Sequence, residues 1–345
     1  MNPGSNPTVN NFDLIRLLAA TQVMLKHALL HLGYEGPGIE LLGLFPGVPV
    51  FFFISGFLIF QSYRNSRSVG QFALNRVLRI YPGLLVCFAV SIALVLSTGY
   101  LQWRRLGQTD FLLWALAQTT LLQIYNAEFM RGFGVGVLNG SLWTIAVELQ
   151  FYLLTPLLGW VVLGRRWLWP VVLLVGVFAN LLLGLGTGNF LLKLFSVSSP
   201  PWFYMFVLGA WLSQREDWQR RLLALRSTAP LFAYLLVAVA GHALGLKVLG
   251  NEINPLSYLL LSALVFKLAY TQPGLSDRLL HRNDISFGVY IYHMPVINLL
   301  LFHGLHHSAE SVVLASAATL AAAWLSWRHV ERPALRLKRL ALRPL

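Results

Sequence analysis

The chain has 345 residues, of which 57% are apolar and 11% charged, with a net charge of +13 and a mean hydropathy of +0.64. An ordinary soluble domain carries about 25% charged residues. So small a supply nearly excludes a soluble enzyme, and nothing here is polar enough to stay unfolded. The remaining class is a polytopic membrane protein.

The 26 basic residues include only five lysines, and the pI is 10.2. A nucleic-acid reading would need a basic patch on a soluble module. Here the arginine clusters sit between apolar runs, where the positive-inside rule expects them, so no nucleic-acid partner is expected. Cys87 is the only cysteine, which excludes an intramolecular disulfide and a cysteine-based metal site.

The polar opening from Met1 to Asn10 has no basic n-region and no small-residue cleavage site, so it does not read as a removable signal peptide. A membrane helix needs about 20 mostly apolar residues. Candidate runs follow near 12–32, 45–63, 79–98, 142–163, 167–186, 202–213, 229–247, 255–271, 286–303 and 311–327. The run 111–125 is short and contains Gln118 and Gln123. Five arginine groups can share one side of the membrane: Arg64 to Arg79, Arg165–Arg166, Arg215 to Arg226, Arg278–Arg282, and Arg328 onward. They do so only if the stretch between 98 and 142 makes no net crossing.

The expected fold is therefore all-α, a polytopic membrane helix bundle. It has about ten transmembrane helices, one short re-entrant or interfacial helix at 111–125, and both termini cytoplasmic. Without repeats or linkers, residues 1–345 read as a single domain. Residues 328–345 form a basic cytoplasmic tail, either an amphipathic helix on an anionic leaflet or a solvated segment.

Ionisable residues inside spans are costly and are functional hypotheses by default. The first span holds Asp13, Arg16, Lys26, His27 and His31. Arg16 and His27 are eleven residues apart, close to three turns, so they share a helix face about 16 Å apart along the axis. Packing alone would have Arg16 snorkel, paired with Asp13, and His27 sit as a hydrogen-bonded core residue. His27-x-x-x-His31 lacks an acidic ligand, so no metal is expected. His303, His306 and His307 read as a solvated outer loop.

Glu148 lies in the segment Ser141 to Tyr152, on a helix that Ser141 is placed to cap. Arg76 and Arg79 stand one turn apart at the start of a span; positive-inside topology explains them, and so would a phosphate clamp. Tyr290 and His293 fall within a span just before Pro295, which can open the local backbone.

These segments, in this order, resemble the bacterial acyltransferase 3 family of integral-membrane acyltransferases. Asp13-Leu-Ile-Arg16 with His27 looks like the Arg-x10-His signature. Phe51 to Leu58 is similar to the second-span motif, and Arg76-Val-Leu-Arg79-Ile-Tyr-Pro82 to Arg-x-x-Arg-Ile-Tyr-Pro. Ser141 to Tyr152 resembles the Ser-Leu-Trp-Thr-x-x-Val-Glu stretch, with Leu149 where many members carry a second acid. Ser286 to Val296 resembles the Tyr-x-x-His-x-Pro stretch, with Phe287 for the usual Tyr. Glu331-Arg332-Pro333 is like the closing Glu-Arg/Lys-Pro.

The resemblance implies a stand-alone membrane O-acyltransferase of the bacterial inner membrane. It would move an acyl group, acetyl by default, from cytoplasmic acyl-CoA to a sugar hydroxyl of a surface or secreted glycan or glycolipid. His27 would be the general base or the acyl carrier, with Glu148 orienting it or the acceptor. Arg76 and Arg79, assisted by Arg16, would hold the coenzyme A phosphates, and Trp143, Tyr290 and His293 would contact substrate. The membrane lipids and the acyl-CoA are the expected partners. The competing reading is a proton-coupled transporter or flippase of a lipid-linked glycan or small acid; against it stands the lack of an internal repeat.

Overall fold

The computed structural model describes residues 9–33, 38–185 and 190–340, and among these there is no β-strand. The main helices are α1 (Phe12–His31), α2 (Gly47–Arg64), α3 (Val69–Ser97), α4 (Thr109–Gln118), α5 (Trp143–Val162) and α6 (Leu168–Leu181). They continue with α7 (Phe203–Ser213), α8 (Glu216–Ala224), α9 (Thr228–Ala243), α10 (Pro255–Ala269), α11 (Ser286–Phe302), α12 (Ala309–Ser326) and α13 (Arg332–Leu340). Every predicted apolar run forms a helix.

Four helical stretches are long and apolar enough to cross a membrane: Ile39–Arg64, Val69–Ser97, Gly140–Val162 and Ala309–Leu337. There are up to six if two bent pairs each make one span. Length and composition thus give four to six candidate spans among the described residues rather than ten. The difference lies in short apolar helices such as α10 and α11, and in α1, whose 20 residues carry Asp13, Arg16 and Lys26.

Three local boundaries are refined. The predicted span 79–98 begins ten residues earlier, at Val69, because Ser68 caps the helix by accepting from the Gln71 amide. Arg76 and Arg79 are therefore in the third turn of a 29-residue helix rather than at its start. In the run 111–125, α4 stops after ten residues, about 15 Å and half the hydrocarbon thickness. Buried Gln118 ends it by donating to the carbonyls of Gln123 and Tyr125 at 3.2 and 2.8 Å. Finally, the basic tail opens as helix. A π-helical turn, Trp327–Glu331, carries α12 on toward α13 and buries Glu331. The wide turn precedes Pro333, which has no N–H to continue the α register. Residues 341–345, with Arg343, lie outside the described residues.

The helices group into two compact units. The first comprises residues 1–23, 37–65 and 154–284. Its centre is the crossing of α2 and α7, where Gly56 lies against the Phe206 backbone and Gly209 against that of Phe53 and Phe57. Small residues let helix backbones approach this closely without a hydrophobic driving force from water. Gln22 of α1 caps α2: its Oε1 accepts from the Gly47 amide at 2.9 Å, and its amide donates to the Leu42 carbonyl at 2.6 Å. One otherwise orphaned helix donor is thereby satisfied.

The second unit comprises residues 24–36, 66–153 and 285–345. Ala28 and Leu32 at the end of α1 pack with Met294, Ile297 and Leu300 of α11 and Ala315 of α12. Gly288 of α11 meets the α12 backbone at Ala323. A second cluster seats Phe111 and Trp114 of α4 against Ile92 and Val95 of α3 and against Met130 and Phe133.

Candidate active site

The second unit gathers His27, Trp143, Glu148, Tyr290 and His293, with Arg76 and Arg79, while Arg16 belongs to the first unit. The centre is a pair of imidazoles. His27 Nδ1 lies 2.8 Å from His293 Nε2. The ring planes differ by 24° and their centroids are 5.1 Å apart. With facing nitrogens this close, the contact is edge to edge, an in-plane N–H···N bond.

The far nitrogen of His293 fixes the tautomers. Its Nδ1 faces the Val289 carbonyl at 3.3 Å; a carbonyl only accepts, so Nδ1 carries the proton. Neutral His293 then has a lone pair at Nε2, and His27 Nδ1–H donates to it. The Nε2 of His27 is left with its lone pair. His293 is wholly buried, whereas His27 is half-buried. One ring is a fixed support and the other can be reached. The His31 ring lies 5.7 Å from that of His27.

The backbone that carries His293 is held from outside its own helix. Pro295 lacks the N–H that would bond the Ile291 carbonyl four residues back. That carbonyl instead accepts from Asn139 Nδ2 at 2.7 Å and from Cys87 Sγ at 3.3 Å. Tyr290 is buried, its hydroxyl 2.6 Å from Thr144 Oγ1, and Thr144 donates in turn to the Ser141 carbonyl at 3.0 Å. Ser141 does not cap α5 as expected: its hydroxyl donates to Asn139 Oδ1 at 2.6 Å. Asn298, one turn beyond Pro295, donates to the carbonyls of Val137 and Leu138 and accepts from the Val135 amide. The loop before α5 is thus bolted to α11 by three polar side chains.

Glu148 accepts a hydrogen bond from Tyr152 at 2.6 Å. The Arg76 guanidinium lies 5.7 Å from the centroid of the same Tyr152 ring and 5.9 Å from that of Phe72. Glu148 thus shares the Tyr152 ring with Arg76, and the ring hydrogen-bonded to His27 is that of His293. Trp143 is half-buried at the start of α5.

Arg79 faces buried Glu331 at 3.5 Å and lies over the Phe287 ring at 5.9 Å. Glu331 also accepts from Ser326 at 3.0 Å. Glu331 is 1% exposed, so Glu331→Ala is expected to destabilise the protein by about 3 kcal/mol, by stranding a partly buried guanidinium. Thermal unfolding in detergent checks this, and Arg79→Gln combined with Glu331→Gln should recover part of the loss. A Glu331→Ala protein that unfolds with the wild type would remove the pair from the fold's support.

In the first unit, Arg16 is bridged to Asp284 at 3.1 Å. This partner comes from 268 residues away. His303, His306 and His307 are exposed as expected, with His307 Nδ1 3.1 Å from the Gly33 carbonyl. Among the described residues no group of three or more His, Cys, Asp or Glu could hold a metal ion.

Sequence reasoning missed Asn139, Thr144, Asn298 and Asp284. Their signal was faint: Asn and Thr in apolar surroundings, and one acid just before a span. Glu331 was visible as part of a motif but carried no role.

Comparison with known proteins gives three matches. A family model described as "Acyltransferase domain" matches residues 9–328. A protein named "Nodulation protein 10", from Rhizobium leguminosarum bv. viciae, is 34% identical over 95% of this chain and 94% of its own. One named "O-acetyl transferase", from Shigella phage Sf6, is 28% identical over 94% of this chain and 95% of its own. No solved structure matches.

Proposed function

Because the chain belongs to the acyltransferase 3 family, an integral-membrane enzyme that transfers acyl groups, we propose that it moves an acyl group from acyl-CoA to a sugar hydroxyl. The acceptor is a surface or secreted glycan, or its lipid-linked form. A relative named as an O-acetyl transferase supports acetyl as the group and oxygen as the acceptor atom. The proposal places the enzyme in a bacterial inner membrane with ten crossings, both termini cytoplasmic, and one catalytic domain.

One observation carries the chemistry: His27, reachable and hydrogen-bonded through Nδ1 to a buried His293. In the proposed step His27 Nε2 removes the proton from the acceptor hydroxyl as its oxygen attacks the thioester carbonyl. The C–O bond forms, the C–S bond breaks, and the imidazolium proton passes to the departing thiolate. While His27 is charged, His293 Nε2 accepts from its Nδ1–H and the Val289 carbonyl accepts from His293 Nδ1–H. Charge develops against dipoles that are already oriented. Sequential kinetics are expected; ping-pong kinetics would reassign His27 as the acyl carrier.

Arg76 and Arg79 are proposed to hold the coenzyme A phosphates, since guanidiniums bind phosphate oxygens in fixed forks. Arg79 lies at the level of Phe287, six residues before His293 on the same helix. Arg79 is therefore about 9 Å along α11 from His293. A donor held by its phosphates would extend its thioester toward His27. Glu148 is proposed to orient His27 or the acceptor, and it holds the Tyr152 ring that lies beside Arg76. Buried Tyr290 positions α11, and Trp143 is left to face the acceptor.

Arg76→Ala should weaken coenzyme A binding about tenfold, read by calorimetry on the purified protein; equal affinity would sink the clamp. The function itself is tested on surface and secreted glycans, by NMR and mass spectrometry. Cells lacking the gene, cells with it restored, and cells carrying His27→Ala are compared. An acyl ester that returns only with the wild type is expected, and it would name the acyl group and the sugar. Equal acylation in all three strains would overturn the glycan acceptor.

A further inference from the structure

The first unit contains a cavity of about 660 Å³, within the 300–1,000 Å³ of typical ligand pockets. None of the groups proposed for catalysis lines it. Its wall is apolar: Phe53 of α2, Trp169 of α6, Trp211 of α7 and Leu259 of α10, with Trp218 and Leu222 of α8. Ser262 adds a hydroxyl, and two cations, Arg166 and Arg215, complete the lining.

The geometry of α8 fixes the cavity's depth. The helix axis turns by 89° between α8 and the apolar α9. If α9 runs along the membrane normal, α8 lies in the plane of the surface. Its sequence suits that position: Trp218 and Leu222, one turn apart, line the cavity, while Glu216 and Arg220 form a 3.1 Å pair on the exposed face. A helix apolar on one side and charged on the other rests at the headgroup level. Tryptophan belts mark the same level.

The two arginines are held at this boundary. Arg215 lies over the Trp211 ring at 5.6 Å. Asp217 engages its Nε and Nη2 at 3.1 and 3.0 Å, so among the described residues the uncompensated charge of the mouth is that of exposed Arg166. An apolar interior below and cationic groups above complement an amphiphile with a hydrocarbon tail and an anionic head. A free phosphate would gain nothing from the tryptophan walls, and a zwitterionic lipid would gain less from the arginines.

We propose that this cavity is a binding site for an anionic phospholipid, its acyl chain among Trp169, Trp211 and Trp218 and its phosphate on Arg166 and Arg215. The site is separate from the acyl-transfer chemistry. Its test reads lipid binding and holds whether or not that chemistry is correctly assigned.

The experiment is native mass spectrometry of the full-length protein in detergent, titrated with phosphatidylglycerol or with phosphatidylcholine of identical chains. Wild type should prefer phosphatidylglycerol about fivefold, since a basic residue at a membrane surface contributes about fivefold toward an anionic lipid and Asp217 already balances Arg215. Arg166→Gln with Arg215→Gln should bring the two lipids to parity. Ala263→Phe, which fills the cavity from α10, should weaken both lipids alike while the protein still elutes as one species.

Equal binding of the two lipids by wild type would reduce the cavity to a groove filled by any lipid. Unchanged preference in the arginine variant would move the anion site elsewhere. Glycerol phosphate binding as well as the lipid would make it a phosphate site without a tail. Palmitoyl-CoA displacing the lipid equally well in Arg76→Ala would make the cavity the donor's acyl pocket. Any of these four results overturns the proposal.

Discussion

His27→Ala is expected to lower the rate of acyl transfer by 10²–10⁴-fold, the usual span for losing a positioned base, with coenzyme A affinity unchanged. The protein should still fold. His27 is half-buried, and its removal leaves one buried acceptor, His293 Nε2, without its donor, a cost of about 1–3 kcal/mol. His293→Phe should fail for a different reason. It removes the acceptor for His27 Nδ1–H, so the His27 proton is free to move to Nε2, where it blocks the base. The expected loss is within about tenfold of that of His27→Ala, although His293 never meets substrate. His293→Gln keeps an acceptor near the same place and should restore much of the rate. A purely structural His293 would instead lower the amount of folded protein and leave the rate per folded molecule intact. Initial rates normalised to monodisperse protein, with calorimetric coenzyme A affinity, separate these cases. A His27→Ala enzyme turning over at the wild-type rate would remove the residue from the mechanism.

The sequence made the helices legible because apolar runs and their breakers are local. Every run became a helix, and Gln118 and Gln123 correctly marked 111–125 as different. Helix length was less legible. Ser68 and Gln71 extend α3 across an arginine-rich stretch that hydropathy assigns to a loop. Glu331 lies in a stretch whose charges read as a surface helix or a solvated tail, yet its carboxylate is buried against Arg79 and Ser326.

The site was legible as a set of residue types, not as a set of pairs. His27 and His293 were each conspicuous as imidazoles in apolar helices, but nothing in their spacing says that they touch across 266 positions. Arg16 was conspicuous too, and the local rule offered Asp13 one turn away. An ion pair forms with Asp284, 268 positions away, which no local spacing announces. Glu148 drew attention as an acid in a span and proved to be hydrogen-bonded to Tyr152 four residues on. Asn139 was invisible because its task is set by a missing N–H at Pro295, two segments away.

Gly56→Val should prevent accumulation of the folded protein. A Cβ at Gly56 would fall 2.8 Å from the Phe206 carbonyl carbon, and closer still to its oxygen. Real Cβ atoms essentially never approach heavy atoms this closely, and the obstacle is backbone that no rotamer change can move. Relief requires α2 and α7 to separate. Gly209 stands at the same crossing, where its Cβ would meet the Phe57 amide nitrogen at 2.8 Å, so Gly209→Val should fail in the same way. An ordinary overpacked core position costs 1–3 kcal/mol because side chains adjust. Here there is no side chain to adjust, and membrane helices gain little from hydrophobic burial to offset a lost contact. Gly56→Ala already introduces the offending atom and should lower the unfolding temperature in detergent sharply. Gly107→Ala is the control: its Cβ would meet nothing within 4 Å, and a shift within about 0.5 kcal/mol is expected. Size-exclusion profiles of the fluorescently tagged protein rank the four variants. A Gly56→Val protein that elutes as the wild type and unfolds at the same temperature would mean that α2 and α7 are not in backbone contact.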